Sequence, residues 1–465
     1  MRVHVRKTAA ALSALGLCAL SGAAMATNGY FTHGVGTESK GMAGTGVGSD
    51  GANGAIIGAS NPALAVFADD GWAVGLSLFS PMRSYEAGTS LAQGQGGAFT
   101  IGAGSFDSGS EWFPIPYVAK NFRLGSGNVI NLAFYGRGGM NTDWEDSNAS
   151  ATSMACDPTG QAVVTGPGPF CGGDAGVDLS QAFLAVNFAG KAGENFSWGI
   201  GPVFAVQMFE AKGLAAFTPF TKTFAEAFIT TGMPAPANNL TNNSHDTSTG
   251  FGFAGGIWWS MGQSVGAGLS YQSEISMDEF KDYSDLFAEG GGFDIPASTK
   301  FGISFEGMNN VRLNFDIEHT EFGGVDSVGN PMANIAGCPT AGLGGMDLES
   351  CLGGKNGAGF GWDDMTTYKL GVEWTHNDSS TWRFGYSYGE QPIQSADVVF
   401  NILAPGVMEQ HFTFGMTKSR QGGGAWNFSV MYAPSKTVTG VNMFDPTQEI
   451  ELEMSQFEFE VSYHW

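Results

Sequence analysis

Histidine, cysteine and glycine clusters are where a reaction or a metal would first show, and here each of them points away from catalysis. His319, His376, His411 and His464 stand singly, with no nucleophile motif beside them, so a serine hydrolase built on the wall has nothing to start from. The stretch Gly41-Met42-Ala43-Gly44-Thr45-Gly46 is glycine-rich, but no Gly-Lys-Ser/Thr follows and no strand leads into it, so it is not a phosphate loop. Of the five cysteines, Cys18 lies in the leader behind Leu17, where a lipoprotein site would want a small residue. Cys156 and Cys171 form one close pair and Cys338 and Cys351 another. Four cysteines allow about three pairings, and an oxidising compartment with local spacing favours the two adjacent ones. No CxxC or His-Cys cluster suggests zinc. The expectation is two loop disulfides, no metal, no cofactor, no catalytic residue and no enzyme.

Charge narrows the partners. The chain carries 20 Lys and Arg against 44 Asp and Glu, a formal net charge of −24. No basic stripe exists to neutralise phosphates, which argues against nucleic acid. The acids read as solvated loops. Arg2, Arg6 and Lys7 precede an apolar run that ends near Leu20, and Ala24-Met25-Ala26 offers a small-x-small cleavage site. That is the layout of a secretory signal peptide over 1–26, which places the mature chain beyond the inner membrane. Past residue 26 no stretch approaches the roughly 18 apolar residues of a membrane helix. The chain holds 71 glycines and 36 phenylalanines, and only 14% of it is charged. That suits strands alternating between lipid and lumen better than a soluble domain, where about a quarter would be charged.

The elements that would position any site are period-two strands. Trp72, Val74, Leu76 and Leu78 alternate with Ala73, Gly75 and Ser77; Ile200, Phe204 and Val206 oppose Gly201, Ala205 and Gln207; Tyr368, Leu370, Val372 and Trp374 oppose Lys369, Gly371 and Glu373. One face is bulky and apolar, the other small or polar. The pattern predicts strands over 71–80, 112–123, 128–137, 180–189, 196–208, 250–260, 264–275, 298–306, 311–320, 366–375, 381–389, 409–418, 424–433 and 455–465. Residues 96–105 read as loop. Short and long connections alternate between these strands, as periplasmic turns and external loops do in a barrel. The fold class is all-β: a 14-stranded antiparallel transmembrane barrel over 69–465 in the Gram-negative outer membrane, with both termini periplasmic. The last strand alternates Phe457, Phe459, Val461, Tyr463 and Trp465 with polar residues, which resembles the signal read by the barrel-assembly machinery. Ile450, Leu452 and Met454 run in the opposite phase, so a bulge or loop is expected near Ser455-Gln456.

About 44 residues separate the expected mature start near Thr27 from the first strand, rich in Gly and Ala but holding Tyr30, Phe31 and Asn61-Pro62-Ala63. Small residues suit a segment folded inside a lumen. Here the chain resembles the FadL/TodX family of outer-membrane transporters for long-chain fatty acids and aromatic hydrocarbons. The Asn-Gly-Tyr-Phe start, the Gly41–Gly46 stretch and Asn-Pro-Ala just before strand one carry the resemblance, which spans the mature chain. It implies an N-terminal hatch over 27–68 plugging the lumen, and a lateral opening at an inward kink in the third strand. That strand ends Tyr135-Gly136-Arg137-Gly138-Gly139, and Gly136, Gly138 and Gly139 would supply the kink. It implies further an apolar groove between the third and fourth external loops. The third holds Leu214, Phe217, Phe220, Phe224 and Phe228, spaced as on one helical face, and the fourth holds Phe280, Tyr283, Leu286 and Phe287. Tyr30 and Phe31 would line a tighter site above the hatch.

The function so implied is passive, laterally released diffusion of hydrophobic compounds, with long-chain fatty acids ahead of monoaromatic hydrocarbons and a loop-mediated receptor or adhesin a further alternative. By strand phase Arg137, Lys300, Arg312, Lys369 and Arg383 point inward, but Glu306, Asp316, Glu318 and Glu373 share the lumen. Ion pairs across the lumen are therefore expected in place of a carboxylate site. The implied partners are a hydrophobic small molecule, outer-membrane lipid and the assembly machinery, with the chain a monomer.

Overall fold

The computed structural model describes residues 28–51, 54–125, 127–145, 148–157 and 160–465. The leader 1–26 lies outside them. Fourteen strands run in chain order: β1 Trp72–Ala87, β2 Phe113–Arg123, β3 Val129–Trp144, β4 Ala175–Lys191, β5 Phe196–Lys212, β6 Asp246–Ser260 and β7 Val265–Gln272; then β8 Ser298–Glu306, β9 Val311–Thr320, β10 Met365–Asn377, β11 Ser380–Gly389, β12 Gln410–Ser419, β13 Ala425–Val441 and β14 Glu449–His464. Each pairs antiparallel with its neighbours in sequence, and β14 pairs with β1, so the sheet is a closed barrel. Every one of the fourteen expected strands is present. Short turns join β2–β3, β4–β5, β6–β7, β8–β9, β10–β11 and β12–β13 on one rim, where both ends of the barrel chain also lie. Long loops crowd the other rim.

The alternation holds because one face meets lipid. Trp72, Val74, Leu76 and Leu78 of β1, Phe204 and Val206 of β5, and Tyr368 and Leu370 of β10 are exposed on the outside. Ser77, Gln207 and Lys369, one residue out of phase, are buried inside. Several strands run past their expected ends on the long-loop side, as β1, β3, β5 and β13 do. There the outer face leaves the apolar band and turns polar, and the sequence signal fades with it.

The bulge expected at Ser455-Gln456 does not form. β14 pairs with β1 without a slip from Ala73↔His464 to Ala87↔Ile450. Ile450, Leu452, Met454, Gln456, Glu458 and Glu460 all share the buried inner face. The phase never changes; the lumen does, being apolar near the loops and charged near the turns. The irregularity lies across the ladder, between Ala433 and Lys436 of β13. Residues 96–105 are largely loop, as expected. Thr100–Ile101 joins a small sheet with Ser150–Ser153 and Val164–Pro167, and Gly104–Asp107 pairs with the far end of β1.

The N-terminal segment 28–68 packs against the inward faces of the wall. A one-turn helix at Thr37–Lys40 and two 3-10 turns, Ala55–Ala59 and Pro62–Val66, are almost wholly buried. Asn61 caps the last of these: its Oδ1 accepts from Ala63 N at 3.0 Å, and Pro62 fills the first position, where no donor is needed. Its Nδ2 donates to Val47 O at 3.1 Å, tying the Asn-Pro-Ala turn back to the rest of the segment. Both disulfides, Cys156–Cys171 and Cys338–Cys351, are formed in long loops.

Candidate functional site: a seam in the barrel wall and the apolar cavity above it

The ladder between β2 and β3 is interrupted. β2 and β3 pair from Arg123↔Val129 to Tyr117↔Tyr135 and stop there, while β2 stays paired to β1 as far as Phe79↔Phe113. The cause is readable in β2. Asn121 N donates toward β1, to Gly71 O at 3.1 Å, and Leu124 N donates across to Asn128 O at 2.8 Å on the β3 side. Odd-numbered amides thus face β1 and even-numbered ones face β3. Pro114 and Pro116 are even-numbered and have no N–H, so β2 offers β3 no donor where the ladder ends.

β3 bends at the same height. Its register against β4 slips between Gly136 and Gly138, which makes Arg137 the extra residue of a bulge. The edge that β2 vacates is taken by the N-terminal segment. Thr32 N donates to Arg137 O at 2.8 Å, Gly139 N donates to Tyr30 O at 3.0 Å, and Phe31 bridges Gly138. Glycine at 138 eases this contact: a Cβ there would stand 2.0 Å from Gln181 Oε1 and 3.2 Å from the Phe31 ring, and the Gln181 amide would have to move aside. The Arg137 guanidinium lies 4.3 Å above the centre of the Phe31 ring. Above the gap the wall resumes, because Ser108 N donates to Arg83 O of β1 at 2.9 Å and Gly109 N to Asp143 O of β3 at 2.8 Å.

Tyr30, fully buried, sits under a cluster of rings. Phe31, Phe322 and Trp362 lie 4.9, 5.1 and 5.8 Å from it, centre to centre. Trp362 is held by a 2.6 Å hydrogen bond from its Nε1 to Asn401 Oδ1. Asn401 ends a short helix, Val398–Asn401, that the loop between β11 and β12 inserts into the barrel mouth. The following residues are tied to β3 by Thr142 Oγ1 donating to Leu403 O and Trp144 Nε1 to Ile402 O, at 2.8 and 3.1 Å.

Above this cluster is an apolar recess lined by Leu214, Phe217, Leu286, Phe287, Phe360, Phe400 and Leu403 with Val177 and Phe209 of the wall. Its apolar lining suits a hydrophobic molecule. The expected groove thus draws on four loops rather than two. Leu214, Phe217 and Phe287 line it. Phe280 and Tyr283 do not; they pack on Phe209 behind the lining, with ring centres 5.6 and 4.8 Å away. Phe220 leans on Phe444, and Phe224 and Phe228 stack on each other at the surface. The even helical spacing of the five is broken by Pro219 and by Thr221, whose extended backbone restarts the chain as a separate helix, Lys222–Thr231. Phe360, from the loop between β9 and β10, and Phe400 and Leu403, both from the loop between β11 and β12, carried no clustered signal in the sequence.

The lower lumen is a layer of ion pairs. Glu318 accepts Lys369 at 2.6 Å, Lys300 at 3.1 Å and Arg137 at 3.4 Å. Arg383 pairs with Glu373 at 2.8 Å, and Arg312 reaches Glu373 at 3.6 Å. The expectation of pairing across the lumen holds for all five cations. The N-terminal segment joins the same layer: Lys40 lies between Glu458 and Glu460, 2.7 Å from the latter, and Asp316 accepts Gly46 N and Val47 N at 2.8 and 3.0 Å. Among the described residues no group of His, Cys, Asp and Glu is placed to hold a metal ion.

A closed barrel with a lipid-facing apolar band, a filled lower lumen and an apolar cavity beside a wall seam defines an outer-membrane transport channel for hydrophobic compounds. The model of the outer membrane protein transport protein family (OMPP1/FadL/TodX) matches residues 17–417, and the chain belongs to that family. The toluene transporter TodX of Pseudomonas putida has the same fold, with a TM-score of 0.61 at 16% identity over 94% of this chain and 99% of that one. A FadL homologue of Pseudomonas aeruginosa gives 0.58 at 15% identity over 94% and 99%. The toluene transporter TbuX of Ralstonia pickettii gives 0.56 at 14% over 93% and 98%. No curated protein matches the sequence.

Proposed function

We propose that the barrel passes hydrophobic compounds by passive diffusion with lateral release, long-chain fatty acids being the cargo, and that it catalyses no reaction. The observation that carries this is the course of the apolar lining: the loop cavity leads past Leu403 and Trp362 to Tyr30 and Phe31, which cover the interrupted β2–β3 ladder. A molecule gains roughly 25 cal/mol for each Å² of apolar area it buries in the cavity. Segment 28–68 acts as the hatch. Release needs only Tyr30–Thr32 to unzip from β3, because the Pro114–Pro116 edge offers no competing ladder. Each backbone hydrogen bond so broken costs about 1 kcal/mol net. The exit gives onto the outer leaflet, the chain acts as a monomer, and the aromatic C-terminal strand is what the assembly machinery engages.

Monoaromatic hydrocarbons are the second reading. It is favoured by the engagement of Arg137, Lys300 and Lys369 with Glu318, which leaves those three turned away from a ligand's carboxylate. Uptake of oleate and of toluene, compared in cells with and without the protein, separates the two. Deleting Gly136–Gly139 should abolish uptake of whichever is carried. Undiminished uptake by that deletion would sink lateral release.

A further inference from the structure

Resting on the transport reading, the geometry points to a carboxylate site at the upper end of the seam, formed by Arg83 and Asn141. Arg83 comes from β1, four residues beyond the last pair with β2, and Asn141 from β3 just past its bulge. Both side chains are more than nine-tenths buried. Arg83 Nε and Asn141 Oδ1 are nevertheless without a hydrogen-bond partner. They line a narrow recess together with Met140, Trp362 and the turn Ala404-Pro405-Gly406.

The physical argument is one of incomplete neutralisation. An arginine keeps its charge at any ordinary pH, and a buried charge is normally paired. The other buried lumen cations follow that rule, each with a carboxylate at 2.6–3.6 Å. Arg83 does not. Its guanidinium donates to Ser110 O and lies 5.7 Å from the Phe113 ring, while Asp178 and Glu111 act on it only from beyond ion-pair distance. Nε thus carries an N–H without a partner, on a side chain that lines the recess. The Asn141 amide beside it can turn to present an N–H as well, since the orientation of such a group is set by its partners. Two convergent donors with a net positive charge call for a carboxylate. The recess adjoins the aromatic floor of the cavity through Trp362, and the segment 403–406 borders both spaces. An amphiphile with its chain in the cavity can thus set its carboxylate here, at the edge of the exit.

The test measures binding of decanoate and of toluene to the purified full-length chain in a non-ionic detergent, by calorimetry. Arg83→Met should weaken decanoate at least tenfold more than it weakens toluene. Asn141→Leu, which keeps the Arg83 bond to Ser110, should produce the same bias to a smaller degree. Equal losses of both ligands would mean that the substitutions merely disturb the cavity, and would overturn the site. So would unaltered decanoate binding in both variants, or a wild-type chain that binds toluene and no decanoate; this last result leaves transport standing. A wild-type chain that binds neither ligand overturns the site and the transport reading together.

Discussion

Removing the positive charge of Lys40 should unseat the N-terminal segment without opening the barrel. Lys40 is buried between two carboxylates of β14, Glu458 and Glu460, and Thr37 of the same short helix donates to Glu460 at 2.7 Å. With Lys40→Met the two buried glutamates face each other without the lysine, with only His33 beside them, 3.4 Å from Glu458. Breaking a buried ion pair from one side costs about 3–5 kcal/mol. The strands themselves are held by ladders that Lys40 does not touch, so the cost falls on the seating of the segment. At about 1.4 kcal/mol per factor of ten, the unseated fraction should rise by roughly two to three and a half powers of ten. In a planar lipid bilayer the wild type should be nearly silent, and Lys40→Met should show frequent channel openings. Adding Glu458→Gln and Glu460→Gln to that variant removes the repulsion and should restore silence. A Lys40→Met protein that keeps the heat-resistant mobility of a folded barrel and is as silent as the wild type would refute the reasoning.

Three further outcomes follow from the seam and the cap. Pro114→Val with Pro116→Val gives β2 two donors toward β3, each worth about 0.5–1.5 kcal/mol; uptake in whole cells should fall severalfold, and unaffected uptake would show that the prolines do not keep the seam open. Cys338→Ser with Cys351→Ser frees a loop with a sequence separation of 13, for which chain entropy gives about 3 kcal/mol. Limited proteolysis should then cut the loop between β9 and β10 while the barrel stays intact. Phe217→Ala removes a ring that lines the cavity and contacts Phe400 at 5.4 Å. A buried Phe→Ala change costs about 3–5 kcal/mol, so ligand affinity measured by calorimetry should drop while the strand content seen by circular dichroism is kept.

The barrel was legible because a membrane strand writes its environment into every second residue. Trp72, Val74 and Leu76 could be placed outside from their spacing alone. Where that contrast disappears, so does the signal. Ile450, Leu452 and Met454 looked like a slipped strand because a polar lumen was assumed along its whole length. The bulge in β3 was announced by its glycines, but its partner was not: that Thr32 and Tyr30 would bond to Arg137 and Gly139 depends on where a remote segment comes to rest. Pro114 and Pro116 were a signal in plain view, two missing donors on one edge of a strand, which becomes meaningful once the direction of the even-numbered amides is known. The cavity was half legible. Clustered aromatics marked Leu214, Phe217 and Phe287, whereas Phe360, Phe400 and Leu403 meet only through the tertiary arrangement of their loops. Arg83 lay beyond the expected end of the first strand at residue 80, so its inward place and its lack of an acid emerged only with the fold.

The unbroken inner face of β14 has a consequence for the cell's permeability barrier. Met454 and Gln456 mark a phase boundary, and they lie across β1 from Arg83 and Pro81, at the height of the seam. Above it a solute is in surroundings close to oil; below it every step requires displacing paired charges. Entry is therefore graded by oil–water partition coefficient. With the lateral release proposed above, a greasy molecule would find its easiest continuation sideways, into hydrocarbon, while ions, sugars and hydrophilic antibiotics would be refused at the first apolar ring. The channel can stay permanently accessible from outside and still cost the outer membrane none of its resistance to water-soluble compounds.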